Sequence, residues 1–187
     1  MNPRRDNEED EKMAVRQFGR NIYFFSEVTA YSVCTTIQMI DKLEIESKTK
    51  PIVIIMNSPG GSCYDGWGLF DRMRTCRCPI ITIGMGIVAS MAFIIYLAGD
   101  KRIASQNCRF LNHQMSTEVK GRYTDIKIEQ KEMQILEDMA NKVVADRTGR
   151  DIKTVKKEVQ VGDKYMGIEE AIMKGVVHDV IEYMEKK

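Results

Sequence analysis

PIITIGMGIVASMAFIIYLAG, residues 79–99, is the stretch on which the reading of this chain turns. Its length and apolarity match a bilayer span of about 20 residues, but its grammar is that of an α/β unit. Pro79 precedes the β-branched run Ile80-Ile81-Thr82-Ile83, the composition of a strand covered on both faces. Gly84 and Gly86 then punctuate a turn, and from Ala89 the residues favour a helix that Gly99 stops. Strand, turn and buried helix explain the stretch better than a single membrane span.

Working outward, the same grammar recurs. Pro51-Ile-Val-Ile-Ile-Met56 is a second buried strand, broken by Asn57-Ser58-Pro59-Gly60-Gly61 and followed by a helix to about Thr75. Asn21-Ile-Tyr-Phe-Phe25 reads as a strand. Residues 29–46 read as an amphipathic helix, with Val33, Ile37, Ile40 and Leu43 at three- and four-residue spacing. Downstream, Lys101–Ala104 and Cys108–Leu111 are short strands, and a long helix spans Thr124 to Arg147. Gly149 ends that helix, Asp151 caps a shorter one to Val159, and Gly167 to Lys174 forms another before a last strand in Val176–Ile181. Alternating strands and helices imply an α/β domain with a largely parallel sheet.

At about 150 residues per domain, the 187 residues make one domain, placed here at 18–187 behind a charged tail at 1–17. Residues 1–12 lack the apolar segment of a secretory signal. With 28 Lys and Arg against 27 Asp and Glu the net charge is +1, too even a balance for a nucleic-acid partner. The five cysteines are odd in number and include no Cys-x-x-Cys, a pattern that suits reduced thiols and a cytoplasmic location. The same pattern, with only His113 and His178 as histidines, leaves no structural zinc set, so neither metal nor cofactor is expected. Histidine catalysis has only those two residues to use.

In parallel α/β sheets the binding crevice lies at the carboxyl ends of strands. Asn57–Gly61 and Gly84–Ser90 are two such loops, and their glycines can bring backbone N–H groups to an oxyanion or simply make tight turns. Ser90 opens a helix inside an apolar stretch, where it is either an N-cap or a nucleophile. A nucleophilic serine needs a base. His113, at the end of the strand Cys108–Leu111, falls on the same rim, whereas His178 sits in an apolar strand. Asp125, Asp151, Asp163 and Asp179 all remain open as the group that orients the base.

These motifs resemble the proteolytic subunit of the Clp protease, ClpP. Asn57–Gly61, Gly84-Met85-Gly86 with Ala89-Ser90-Met91, Asn112-His113-Gln114, Thr124-Asp125-Ile126, Asp163 ahead of Gly167–Ala171, and Gly175-Val-Val177 follow the family's order from about Phe18 to Ile181. The resemblance implies a ClpP/crotonase-like fold of repeated strand–strand–helix units. It implies a serine endopeptidase in which Ser90 attacks, His113 transfers the proton, Asp163 holds the imidazole, and the N–H groups of Gly61 and Met91 bind the oxyanion. It also implies self-association into seven-membered rings, stacked in pairs as a tetradecamer. AAA+ unfoldases would deliver unfolded polypeptide to the enclosed chamber.

Several positions depart from that pattern. The family's axial segment is not recognisable in residues 1–17, and Val53 and Ile55 stand where it has docking tyrosines, which counts against a typical Clp ATPase partner. Gly162 replaces an arginine before the acid. Met115–Gly121 lacks the proline and paired glycines of the substrate strand. These departures keep a non-catalytic scaffold or regulatory subunit as the alternative. A crotonase-type acyl-CoA enzyme, on the same fold, stands behind it.

Overall fold

Ile52–Met56 and Ile80–Ile83, the two unbroken apolar runs, lie side by side at the centre of an eight-stranded sheet in the computed structural model, which describes residues 15–116 and 119–184. The strands are β1 (Val15–Phe18), β2 (Asn21–Phe24), β3 (Ile52–Ser58), β4 (Ile80–Ala89), β5 (Lys101–Ser105), β6 (Arg109–Asn112), β7 (Lys164–Met166) and β8 (Asp179–Ile181). The helices are α1 (Ala30–Glu46), α2 (Cys63–Thr75), α3 (Met91–Leu97), α4 (Tyr123–Thr148), α5 (Ile152–Val161) and α6 (Ile168–Met173). The main path runs β1-β2-β3-β4-β5-β8, with β6 leaving β4 and carrying β7. Every pair is parallel except β1–β2 and β6–β7, so the α/β reading with a largely parallel sheet holds.

Three sequence boundaries are corrected. Gly84–Ala89 is not a turn, because β4 continues through it and changes partner on the way. Ile81–Gly84 pairs with Lys101–Ala104 of β5, and Ile87–Ala89 pairs with Arg109–Leu111 of β6. Gly86, at φ 68°, makes the bend between the two halves, where the Asn57 Oδ1 accepts from the Ile87 N–H at 3.1 Å. Lys164–Met166, read as loop, is the strand β7. The last strand is shortened to Asp179–Ile181, leaving His178 outside it. Of the tail expected at 1–17, residues 1–14 lie outside the described residues, and 15–17 form β1 with Phe18.

The core is built around α3. All seven of its residues are buried, as a helix apolar on every side requires. It packs on β3, β4 and β6 on one side and on α2 and α4 on the other. Burying these side chains is worth about 1.5–3 kcal/mol for each large one. Among the described residues the Trp67 Nε1 is the one fully buried side-chain polar atom without a partner, and the others are paired. The Thr82 hydroxyl donates to Tyr96 O at 2.9 Å, and the Tyr96 hydroxyl donates to Ile103 O at 3.0 Å.

The carboxyl ends of α3, α4 and α6 converge on two arginines. Arg102, 2% exposed, donates to the carbonyls of Val176, Arg147 and Gly175 at 2.8–2.9 Å, and Arg147 donates to those of Leu97 and Gly99. The last carbonyls of a helix lack intrahelical donors and carry its negative end, so two guanidinium forks satisfy three termini together. Burial and the neighbouring Arg147 charge lower the Arg102 pKa to about 10, which leaves it cationic at neutral pH.

Candidate active site

The strand ends β3, β4 and β6 deliver three short segments to one rim. After β3 the chain turns at Gly60 (φ 102°) and Gly61 (φ 144°), conformations that side-chain-bearing residues rarely adopt. Val28 crosses this turn as a parallel bridge. Its N–H donates to Gly60 O at 2.7 Å, and its carbonyl accepts from the Ser62 N–H at 2.8 Å. Since successive N–H groups alternate in extended backbone, the Gly61 N–H between those two bonds points away from Val28. A Cβ on Gly60 would lie 2.5 Å from the Ser90 Cβ, so this turn is seated directly against the serine.

Ser90 ends β4 and begins α3 at φ 55° and ψ −130°, the one positive φ outside glycine among the described residues. Such a backbone costs about 1–3 kcal/mol and persists only where the surroundings impose it. Here the Ser90 N–H donates to Leu111 O of β6 at 2.9 Å, and the Ser90 carbonyl accepts from the Phe93 N–H at 2.9 Å. Ser90 holds the N-cap position of α3, but its hydroxyl makes no capping bond to the helix. Met91 follows as the first residue of α3, and its N–H is one of the orphan donors of a helix's first turn.

His113 comes one residue after β6. The antiparallel register of β6 with β7 pairs Leu111 with Tyr165 and Asn112 with Lys164, and its next step sets His113 opposite Asp163. The His113 Nδ1 lies 3.6 Å from the Asp163 Oδ1. That is within ion-pair range but beyond a hydrogen bond, with side chains 22% and 62% exposed.

Of the four candidate carboxylates, the register brings Asp163 beside His113, and the other three are held elsewhere. Asp125 binds Arg122, whose side chain and N–H hold it below the usual carboxylate range. Asp151 caps α5 through the Thr154 N–H, and Asp179 pairs with Lys101 at 3.2 Å. His178 is tied elsewhere too. Its Nδ1 accepts from the Arg102 N–H at 3.2 Å, and desolvation with the nearby Arg102, Arg147 and Lys101 charges lowers its pKa. Only Asp163 stands against His113.

Ser90, Met91, His113 and Gly61 line one cavity of about 220 Å³. Asn112 and Val159 form a wall shared with a larger cavity of about 410 Å³ under α5 and β7, which none of those four residues enters. Three residues lining the smaller cavity were not singled out from sequence: Cys63, Glu137 and Asn141. For the latter two the only signal was their separation by one helical turn in a long amphipathic helix. Burial raises the Cys63 pKa, and it lifts Cys108 behind Gly84 to about 12, so both thiols stay protonated at neutral pH. The site's own donors are neither a zinc set nor a carboxylate cage, and among the described residues no group of three His, Cys, Asp or Glu side chains could hold a metal. No helix among them is long and apolar enough to cross a membrane.

An Oγ at a strained strand-to-helix turn, an imidazole on the same cavity, a carboxylate near the imidazole and the backbone of Gly61 and Met91 on the cavity lining form a constellation suited to acyl transfer. Comparison with known proteins gives the same direction. A family profile described as Clp protease matches residues 6–184. Over 176 residues the chain is 34% identical to ATP-dependent Clp protease proteolytic subunit 2 of Treponema denticola, covering 93% of this chain and 88% of that protein. Over 165 residues it is 33% identical to proteolytic subunit 1 of Prochlorococcus marinus and to proteolytic subunit 2 of a Synechococcus, covering 87% of this chain and 83–84% of theirs.

Proposed function

The chain belongs to the Clp protease family, and from that premise we propose that it is a serine endopeptidase subunit that hydrolyses peptides or unfolded chains. The observation that carries the reading is the pairing register that sets Asp163 behind His113 on the cavity of a strained Ser90. Ser90 Oγ attacks the scissile carbonyl while His113 takes its proton through Nε2. Asp163 holds the opposite ring nitrogen and stabilises the imidazolium. The N–H groups of Gly61 and Met91 receive the oxyanion, each donor worth about 3 kcal/mol in the transition state. The proton then passes to the leaving amine, and water repeats the cycle on the acyl-enzyme.

Closing the triad requires the 3.6 Å gap between His113 and Asp163 to shorten by under about 1 Å, a tightening that substrate binding commonly supplies. In this reading the subunits self-associate into seven-membered rings stacked in pairs, in the cytoplasm, with the sites inside the chamber. An AAA+ unfoldase remains a candidate partner whose docking surface differs at Val53 and Ile55.

A fluorophosphonate probe tests the chemistry. It labels the wild-type chain and fails on Ser90→Ala, and equal labelling of both overturns the assignment. A second reading, a scaffold subunit without turnover, draws on the exposure of Asp163 and on the Met115–Gly121 segment. Within that segment residues 117 and 118 lie outside those described and the others form no strand. Assembled rings in native mass measurement, unlabelled by the probe and inert toward peptides, would favour it.

A further inference from the structure

The cavity beside Ser90 carries two polar groups that the triad does not use. Glu137 and Asn141 lie one turn apart on α4 and line it together, facing apolar walls of Met91, Ile94, Met115 and Val159. Asn141 is 3% exposed, yet its amide makes no hydrogen bond among the described residues. Glu137 is half-buried, has no cationic or hydrogen-bonding partner among the described residues, and is the one carboxylate among them that lines the cavity. The Asn141 amide opens onto the cavity, where a ligand can reach it, and a half-buried carboxylate without a counter-ion favours a cation beside it. Both groups suit a ligand that brings donors and positive charge.

We infer that Glu137 and Asn141 form the end of a specificity pocket for a lysine or arginine side chain, on the substrate residue whose carbonyl Ser90 attacks. This inference rests on the peptidase reading above. The aliphatic stem of such a residue lies along Met91, Ile94, Met115 and Val159, and its cationic head reaches the carboxylate. The Asn141 amide oxygen accepts a further hydrogen bond from the same head. The carboxylate repels an acidic side chain, while a purely apolar one leaves both polar groups unpaired, so the pocket selects by rejection as well as by attraction.

Fluorogenic peptides that differ only in the residue before the scissile bond, lysine, arginine, norleucine or glutamate, test the assignment. The wild-type chain should show a kcat/KM ratio of lysine or arginine over norleucine of about tenfold to a hundredfold, the range of a hydrogen bond to a charged group. Glu137→Gln should bring that ratio to near one, and Glu137→Lys should turn the preference toward glutamate. An equal lysine-to-norleucine ratio in wild type and Glu137→Gln overturns the pocket.

Hydrolysis of no peptide by any variant would sink the peptidase reading instead, and the pocket is then judged by binding. On Ser90→Ala, fluorescence anisotropy of labelled peptides ending in lysine or norleucine should show tighter binding of lysine, lost when Glu137→Gln is added. Equal binding of the two peptides overturns the inference by that route as well.

Discussion

Replacing Gly60 by alanine tests whether the glycine turn is the floor on which Ser90 stands. The added Cβ would lie 2.5 Å from the Ser90 Cβ, 2.8 Å from Ala89 O and 3.1 Å from Met91 N. Ordinary carbon contacts sit at about 3.5–4.0 Å, so the turn and the serine must separate by roughly 1 Å. None of the three neighbours is the flexible tip of a side chain that could swing aside. At φ 102° the alanine is also strained by about 1–3 kcal/mol. Together with the overlap, a stability loss of about 2–4 kcal/mol follows, toward the upper end of common point-mutant effects.

Activity should fall further than stability does, because a displacement near 1 Å between reacting groups costs about a hundredfold in rate. The assay is the second-order rate of fluorophosphonate labelling at a temperature where urea titration shows the variant folded. Gly68→Ala is the control. A Cβ there meets nothing within 4 Å, and the position lies inside helix α2, so the variant should gain up to about 1 kcal/mol and label normally. A folded Gly60→Ala that labels at the wild-type rate would refute the claim that this turn and Ser90 form one rigid unit.

Two further perturbations test the frame that carries the site. Arg102→Met leaves the carbonyls of Val176, Arg147 and Gly175 without their donor, at about 1–3 kcal/mol for each acceptor that stays buried and unpaired; a total loss below about 1 kcal/mol in urea unfolding would show that water replaces it freely. Glu44 accepts from the Arg77 N–H at 2.7 Å and from the Arg77 and Arg72 guanidinium groups, which hold its pKa at about 2 against an ordinary 4.5. A depressed carboxylate contributes fully above pH 4.5 and loses that contribution as pH falls toward 2, so Glu44→Gln should be less stable at neutral pH and flatter across that window. An unchanged acid limb of the stability curve would contradict it.

How much of this was legible in the sequence depended on the range of the signal. Ile52–Met56, Ile80–Ile83 and the helix at Met91–Leu97 were readable because continuous apolar runs are a local consequence of burial on both faces. Gly84 and Gly86 misled, since a glycine that bends a strand between two partners has the same local appearance as one that reverses the chain. The strand β7 has three residues and one buried side chain, too little for any periodicity. Residue patterns alone left four aspartates open and only the resemblance pointed to Asp163, because its place beside His113 comes from the long-range β6–β7 register. The backbone of Ser90 was illegible for another reason. Nothing in a serine's chemistry announces a positive φ, which the packing of Gly60 and the bond to Leu111 impose from elsewhere in the chain.

The parts of the site are held with unequal stiffness, and the difference follows from where each sits in the core. Ser90 is gripped between a glycine turn and a helix whose every residue is buried, and its own N–H is tied to β6. Moving it means disturbing a fully buried helix and the strand it is tied to, so its strain can be stored without relaxing. Asp163 is the opposite case. It is exposed, it follows Gly162 at φ 121° with open space around that residue, and a three-residue strand is all that holds it in register. The proposed nucleophile and its proposed oxyanion donors are therefore preorganised by folding, whereas the proposed acid is positioned by a marginal edge. The 3.6 Å gap lies where that inequality would put it: the slack in the constellation falls on its least buried member, and a small shift of β7 is enough to take it up.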